Sequence, residues 1–239
     1  MAELKEKFIQ DFIVDDRWHF ITDGLMITLQ VTILSLILGT IIGMVVAIIR
    51  CAHDQQDKKD LHGIGGFFLR VANLICRLYI TVIRGTPALV QLLIMYFIIL
   101  VSVRSKVTVA VLTFSINSGA YVAEIFRGGI MAVDKGQMEA GRSLGLGYVS
   151  TMKEIILPQA FKSVLPSLVN ELITLLKETS ICGYIGLNEL TRGGDIIRGT
   201  TFDALLPLFA VALIYLIMVL GISALMGKLE RRLRASDNR

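Results

Sequence analysis

The sequence predicts an all-α integral membrane protein with five transmembrane helices, and three observations predict it. Apolar residues make up 54% of the chain and charged residues only 18%, at a mean hydropathy of +0.68. A soluble domain sits nearer roughly 45–50% apolar and about a quarter charged. Long uncharged runs recur, residues 25–49 being the first, and crossing a hydrocarbon core takes about 20 apolar residues. Basic residues gather beside these runs, which is how orientation is encoded in a bilayer. The net charge of +4 is therefore no nucleic-acid signal, and lipid is the expected surroundings. Residues 1–23 carry six acidic side chains and no apolar core of a leader, so no cleavable signal peptide is expected.

The elements follow in order. Residues 25–49 make the first span, in which Ser35, Gly39, Gly43 and Ala47 recur every four positions; such a small-residue stripe lets another helix pack backbone to backbone. Residues 50–70 are polar and basic, including Asp54, Asp57, Lys58, Lys59 and Asp60. Residues 69–83 are apolar, yet Arg70, Arg77 and Arg84 repeat at seven, nearly one helix face. A lipid-exposed span does not tolerate that row, so an amphipathic helix along the membrane surface is expected. Arg84-Gly85-Thr86-Pro87 then bends into a second span, 88–103.

Residues 107–127 are the third span, containing Asn117, Tyr121 and Glu124 at i, i+4 and i+7, hence on one face. Residues 166–178 are the fourth, with Asn170, Glu171 and Thr174. Five glycines between 179 and 203 predict an irregular connection, and 204–227 form an uncharged fifth span. Lys228, Arg231, Arg232 and Arg234 follow at once and place the C-terminus in the cytoplasm. Counting back puts residues 139–158 inside, 179–203 outside and the N-terminus outside. Taking 69–83 as a sixth span would invert the N-terminus and suit the charges of 50–70 less well. No inverted repeat relates the halves, which weakens a secondary-transporter reading.

Residues 139–158, EAGRSLGLGYVSTMKEIILP, are the longest polar-rich segment within this membrane chain. Helix-compatible runs at 137–144 and 149–157 flank Gly145 and Gly147, where the chain turns, and Pro158 is expected to end the second run. The pattern Glu139-Ala140-Gly141, Gly145, then Ile155, Leu157 and Pro158 resembles the EAA loop of ATP-binding-cassette importer permeases: Glu-Ala-Ala, three residues, Gly, nine residues, Ile-x-Leu-Pro. The one departure is Gly141 for the second Ala, which keeps a small residue and lowers helix propensity by about 1 kcal/mol. Arg84 to Pro87 with Gln91, the run 120–129 (AYVAEIFRGG), Asn170-Glu171 and residues 176–180 (LKETS) look like the permeases that import polar amino acids. The similarity covers most of 20–225; the insert at 54–62, within the polar segment 51–66, is less typical.

The resemblance implies a single permease domain, 1–239, with a membrane core at 20–227, a cytoplasmic coupling loop at 136–158 and a basic tail at 228–239. It implies a type I importer in the bacterial cytoplasmic membrane. The partners would be a second permease subunit, a separate ATPase that carries the ATP and Mg, and an extracytoplasmic amino-acid-binding protein. This chain would bind no cofactor. Glu139, Ala140, Gly141, Gly145, Ile155, Leu157 and Pro158 are the ATPase-coupling candidates. Gln91, Asn117, Tyr121, Glu124, Asn170, Glu171 and Thr174 are the substrate-path candidates, since polar groups in spans face a cavity or another helix. The amino acid stays open, as does a pairing of like or unlike permeases.

Other chemistries find little support. Gly136 to Ser143 nearly spells a phosphate-binding loop, but Arg142 stands where Lys belongs and no strand precedes it. His19, His53 and His62 lie in polar flanks, and Cys51, Cys76 and Cys182 have no metal-like spacing and predict no disulfide. A membrane enzyme built on Glu171, Asn117 and Tyr121 would lack a nucleophile, a metal cluster and a cofactor motif. Passive channels and secondary transporters remain as alternatives, separated by a requirement for an ATPase.

Overall fold

The computed structural model describes residues 2–54 and 63–237. Much of the polar insert, including Asp57, Lys58, Lys59, Asp60 and His62, lies outside these described residues. Among the described residues the chain is helical, with no strand. Ten α-helices follow in order: α1 Ala2–Phe8, α2 Trp18–Asp54, α3 Ile64–Arg84, α4 Ala88–Ile94, α5 Lys106–Met131, α6 Lys135–Ser143, α7 Tyr148–Thr151, α8 Leu157–Glu178, α9 Leu190–Thr201 and α10 Leu205–Asp237. Wider π turns at Ile9–Ile13, Met95–Ile99 and Met152–Ile156 and tighter 3₁₀ turns at Val14–Asp16 and Thr179–Ile185 join some of them.

The helices gather into two compact units, Met1–Leu36 with Pro87–Phe114 and Leu172–Gly227, and Ile37–Thr86 with Ser115–Glu171 and Lys228–Arg239. In the first, Val31, Leu92, Val111, Phe114 and Leu175 close one core, and Phe12, Ile21, Leu190, Ile197 and Val211 close another around α9. In the second, Val46 of α2, Cys76 and Ile80 of α3, and Ala120 and Ala123 of α5 pack together. The small-residue stripe of α2 does what its spacing predicts. Gly43 lets α5 in so closely that a Cβ there would sit 2.6 Å from a Val122 methyl, and Ser35 donates to the Val111 carbonyl at 3.2 Å. Burial of this kind contributes about 25 cal/mol per Å² of apolar surface. The lipid-facing elements look the opposite way: Leu208, Phe209, Leu213, Leu216, Ile217 and Leu220 of α10 are all exposed, as expected of a helix bathed in hydrocarbon.

Among the described residues four helices are long and apolar enough to cross a membrane, α2, α3, α5 and residues Leu205–Arg231 of α10. Two expected spans differ. Residues 88–103 are helical only over Ala88–Ile99, because the Leu100 N–H closes onto Met95 and the chain then turns. The fourth begins at Leu157, nine residues before Pro166, and carries Pro166 inside it. Pro158 does not end a helix either. The π turn before it sends the Leu157 N–H back to Met152, so a wide turn precedes a proline that needs no donor in the first turn of α8. Residues 179–203 are a 3₁₀ turn and α9 instead of an irregular connection, since Glu189 caps α9 by accepting the Thr191 and Arg192 N–H groups at 2.7 and 2.8 Å.

Candidate functional site

The loop that the sequence singles out is built as a helix, a glycine turn and a second helix. Asp134 starts it, its carboxylate accepting the Gly136 N–H at 2.7 Å as the cap of α6. Gly145 stops it at φ +85°. The Gly145 N–H bonds to the Arg142 carbonyl and the Leu146 N–H to the Gly141 carbonyl, at 3.0 and 3.1 Å, the paired bonds that close a helix on a left-handed glycine. Gly147 precedes α7, and its carbonyl accepts the Thr151 hydroxyl at 3.1 Å.

The seven coupling candidates divide by exposure. Glu139, Ala140, Gly145, Leu157 and Pro158 are exposed, Ile155 is half-buried and Gly141 is buried. Gly141 faces its own loop: a Cβ there would lie 2.5 Å from the Thr151 methyl and 3.1 Å from Ile155. Its small size lets α6 close on α7. Three exposed residues went unmarked in the sequence: Leu144 (82% exposed), Val149 (74%) and Leu146. Apolar residues on a polar loop are the signal that could have found them. Beside α6 lies a cavity of about 400 Å³ lined by Cys51, Asp54, Arg127, Glu139, Arg142 and Tyr148 among others. Burial, helped by the nearby Cys51 thiol, pushes the Tyr148 phenol above its ordinary value.

The substrate-path candidates are not one cluster. On α8, Asn170 and Thr174 are exposed, as is Lys177, whereas Glu171 is 8% exposed. Neighbours in a helix point about 100° apart, so Glu171 turns inward, near the Ser118 hydroxyl of α5 but without an ordinary hydrogen bond to it. Asn117 is also buried, at 3%. Tyr121 lies under Arg84, whose guanidinium carbon is 5.2 Å from the ring centre. Glu124 is the hub of an ion cluster: Arg50 donates to it at 2.8 Å, Arg127 at 3.0 and 3.2 Å, and Arg84 stands at 3.9 Å. That cluster ties α2, α3 and α5 together. Gln91 is half-buried on α4.

Among the described residues no group of three or more His, Cys, Asp or Glu could hold a metal ion. The arrangement is an exposed helix-turn-helix bearing an acid and apolar residues, with helices that carry polar side chains on defined faces.

Residues 64–235 match the family described as binding-protein-dependent transport system inner membrane component. The chain is 38% identical over 221 residues to the arginine transport system permease protein ArtQ of Bacillus subtilis (strain 168), covering 91% of this chain and 94% of the relative. It is 38% identical over 216 residues to the glutamine transport system permease protein GlnP of Escherichia coli (strain K12), covering 89% and 92%. Among solved structures it is similar to an amino acid ABC transporter with histidines, at 40% identity and a TM-score of 0.77, covering 89% of this chain and 94% of that one. The inward-facing MetNI methionine ABC transporter, at 19% identity and a TM-score of 0.74 over 89% of this chain and 95% of that one, shares the fold. The helical membrane architecture, the exposed loop and these likenesses lead to one conclusion: the chain belongs to the family of binding-protein-dependent transport system inner membrane components.

Proposed function

We propose that this chain is the translocation subunit of an ATP-driven importer that moves a polar amino acid across the bacterial cytoplasmic membrane. The observation that carries the reading is the loop from Asp134 to Pro158. Its exposed Glu139, Leu144, Leu146 and Val149 form an acid-and-apolar surface that this chain leaves uncovered. A rigid helix-turn-helix can pass a partner's rotation to the helices it joins, here α5 and α8. A separate ATPase carrying the ATP and Mg would dock there, and a second permease subunit and an extracytoplasmic binding protein would complete the importer. Relatives named for arginine and for glutamine transport support a polar amino acid as the cargo. The chain itself performs no catalysis.

In this reading Asn170 and Thr174 offer hydrogen bonds along the exposed face of α8, whereas Asn117, 3% exposed, is left to helix packing. Glu139 meets a basic group of the ATPase. Gly145 provides the turn, and beyond its two chain neighbours no described heavy atom lies within 4 Å of where a Cβ would stand.

The test is reconstitution with the ATPase and binding protein, followed by uptake of labelled glutamine and arginine. Uptake is expected to require ATP and the ATPase. Gly145→Asp costs roughly 1 kcal/mol for a side chain at positive φ and meets no atom of its own loop. The folded variant is therefore expected to lose at least about 1.4 kcal/mol of coupling, a ten-fold fall in substrate-stimulated ATP turnover. Uptake without the ATPase would overturn the importer reading; full coupling in Gly145→Asp would overturn the docking assignment.

A further inference from the structure

The first unit carries a segment ahead of α2 that the transport reading leaves without a role. The chain runs through α1 and the π turn Ile9–Ile13, then reverses at Val14–Asp16 before α2 begins at Trp18. Asp15 and Asp16 both stand at positive φ, +55° and +51°, a backbone that aspartate tolerates better than most residues because its short polar side chain can bond locally. Arg17 staples the reversal, donating to the Gln10 carbonyl and to the Asp15 carboxylate, each at 2.6 Å. The segment is thereby folded back on its own unit. Asp11 and Phe12 are buried, and Phe12 shares a core with Ile21 of α2 and Leu190 and Ile197 of α9.

The side left uncovered is apolar. The Val14 N–H closes onto the Ile9 carbonyl, so residues five apart stack along the turn: Ile13 follows Phe8, and Val14 follows Ile9. All four are more than 40% exposed. The patch leads into the lipid-facing side of α2. Trp18, Met26 and Ile33 are exposed there, and their steps of eight and seven residues keep them within about 80° of one another on the helix. A helix long and apolar enough to cross a membrane turns such a side to lipid. A tryptophan that opens a span belongs at headgroup level, and a chain that reverses just before Trp18 holds the preceding patch near that depth.

We propose that Phe8, Ile9, Ile13 and Val14 rest in the headgroup–acyl boundary of the leaflet at the start of α2, making residues 2–17 a membrane-surface anchor. Its partner is a phospholipid surface, because the patch continues the side of α2 that lipid already covers. Through Phe12 the anchor also fixes α9 to that surface. The recognition is apolar. Lys5 and Lys7 are matched by Glu3 and Glu6, so buried apolar area rather than charge holds the segment. The anchor takes zwitterionic and anionic leaflets alike.

The experiment places a bimane label on Ile13→Cys or Lys7→Cys in the full chain, reconstituted in phosphatidylcholine nanodiscs with or without brominated acyl chains. The native cysteines are buried, so the label goes to the introduced thiol. Emission from residue 13 is expected to be lost to brominated lipid and spared by aqueous iodide; emission from residue 7 is expected to be lost to iodide and spared by bromine. The same pattern is expected in phosphatidylglycerol. Where the label at residue 13 prevents folding, Ile9→Cys takes its place with the same expectations. Iodide that reaches residues 13 and 7 equally overturns the proposal. Emission from residue 13 that is spared by both quenchers also overturns it, in favour of a protein cover such as a second copy. Loss to brominated lipid in phosphatidylglycerol alone overturns the apolar recognition. No step uses the ATPase or a transported amino acid, so failure of the importer reading leaves this result intact.

Discussion

At the scale of single residues, orientation decides what a polar side chain in a membrane helix can do. Glu171 and Asn170 are neighbours in sequence but point about 100° apart on α8, one buried and one exposed. In the proposed transport reading a substrate would meet Asn170 and Thr174 on the exposed face of α8. Asn170→Ala is therefore expected to reduce uptake about ten-fold, the worth of one hydrogen bond. Glu171→Gln keeps the size and is expected to leave the amino-acid preference unchanged; a shifted preference in competition uptake would return Glu171 to the path. Glu189 shows the same sensitivity to surroundings outside the spans. It is 1% exposed, and burial raises its carboxyl above the ordinary value, against the pull of the Thr191 and Arg192 N–H groups. A raised folded-state pKa means that the folded chain holds the proton more tightly. Its stabilisation is full below the unfolded value of about 4.3 and is lost as pH rises through the raised value. The thermal midpoint is thus expected to fall across the weakly acidic range, and Glu189→Gln to flatten that fall. An unchanged pH profile in the variant would assign the slope to another group.

At the scale of elements, the helix-turn-helix shape of residues 134–158 was legible because its turn chemistry is local. Glycines at fixed spacing impose the same turn wherever the chain stands, and the turn at Gly145 is where the spacing puts it. Gly141 was legible only as small. Its reason, the Thr151 methyl that would lie 2.5 Å from a Cβ, is a contact across ten residues that no spacing rule contains. Gly141→Ala is accordingly expected to destabilise the loop by about 1–3 kcal/mol through overpacking. Thr151→Ser removes that methyl while keeping the hydroxyl bonded to Gly147, and is expected to restore most of the loss. Proteolysis rates at residues 144–149 measure both, and additive effects of the two changes would disprove the contact. The prolines misled for a related reason: Pro158 read as a stop and Pro166 as the start of a span, yet a π turn precedes the first and α8 carries both. Leu144 and Val149 were illegible because apolar residues in an apolar chain look like more membrane until the fold shows them uncovered.

At the scale of the whole molecule, the number of crossings decides which side of the membrane each segment takes. Helix Ala88–Ile99 reaches only about 18 Å at 1.5 Å per residue, short of the roughly 30 Å hydrocarbon core. The expected span 88–103 therefore needs the residues after Ile99 to reach across, whereas α3, Ile64–Arg84, is by itself long and apolar enough to cross. With α3 on the surface and α4 beginning a crossing, the expected total is five and the ends take the sides that the charges predict. Counted as two separate crossings, they would carry the N-terminus inside and the basic segment after Arg50 outside, against the charge asymmetry that orients such chains. Single cysteines separate the two. The native Cys51, Cys76 and Cys182 are buried and leave a low background for a membrane-impermeant thiol reagent. Thr200→Cys, on the exposed end of α9, is expected to label in intact cells. Lys58→Cys is expected to label only after the membrane is opened. If Lys58→Cys labels from outside, α3 crosses alone and the arginine row at Arg70 and Arg77 faces the opposite leaflet.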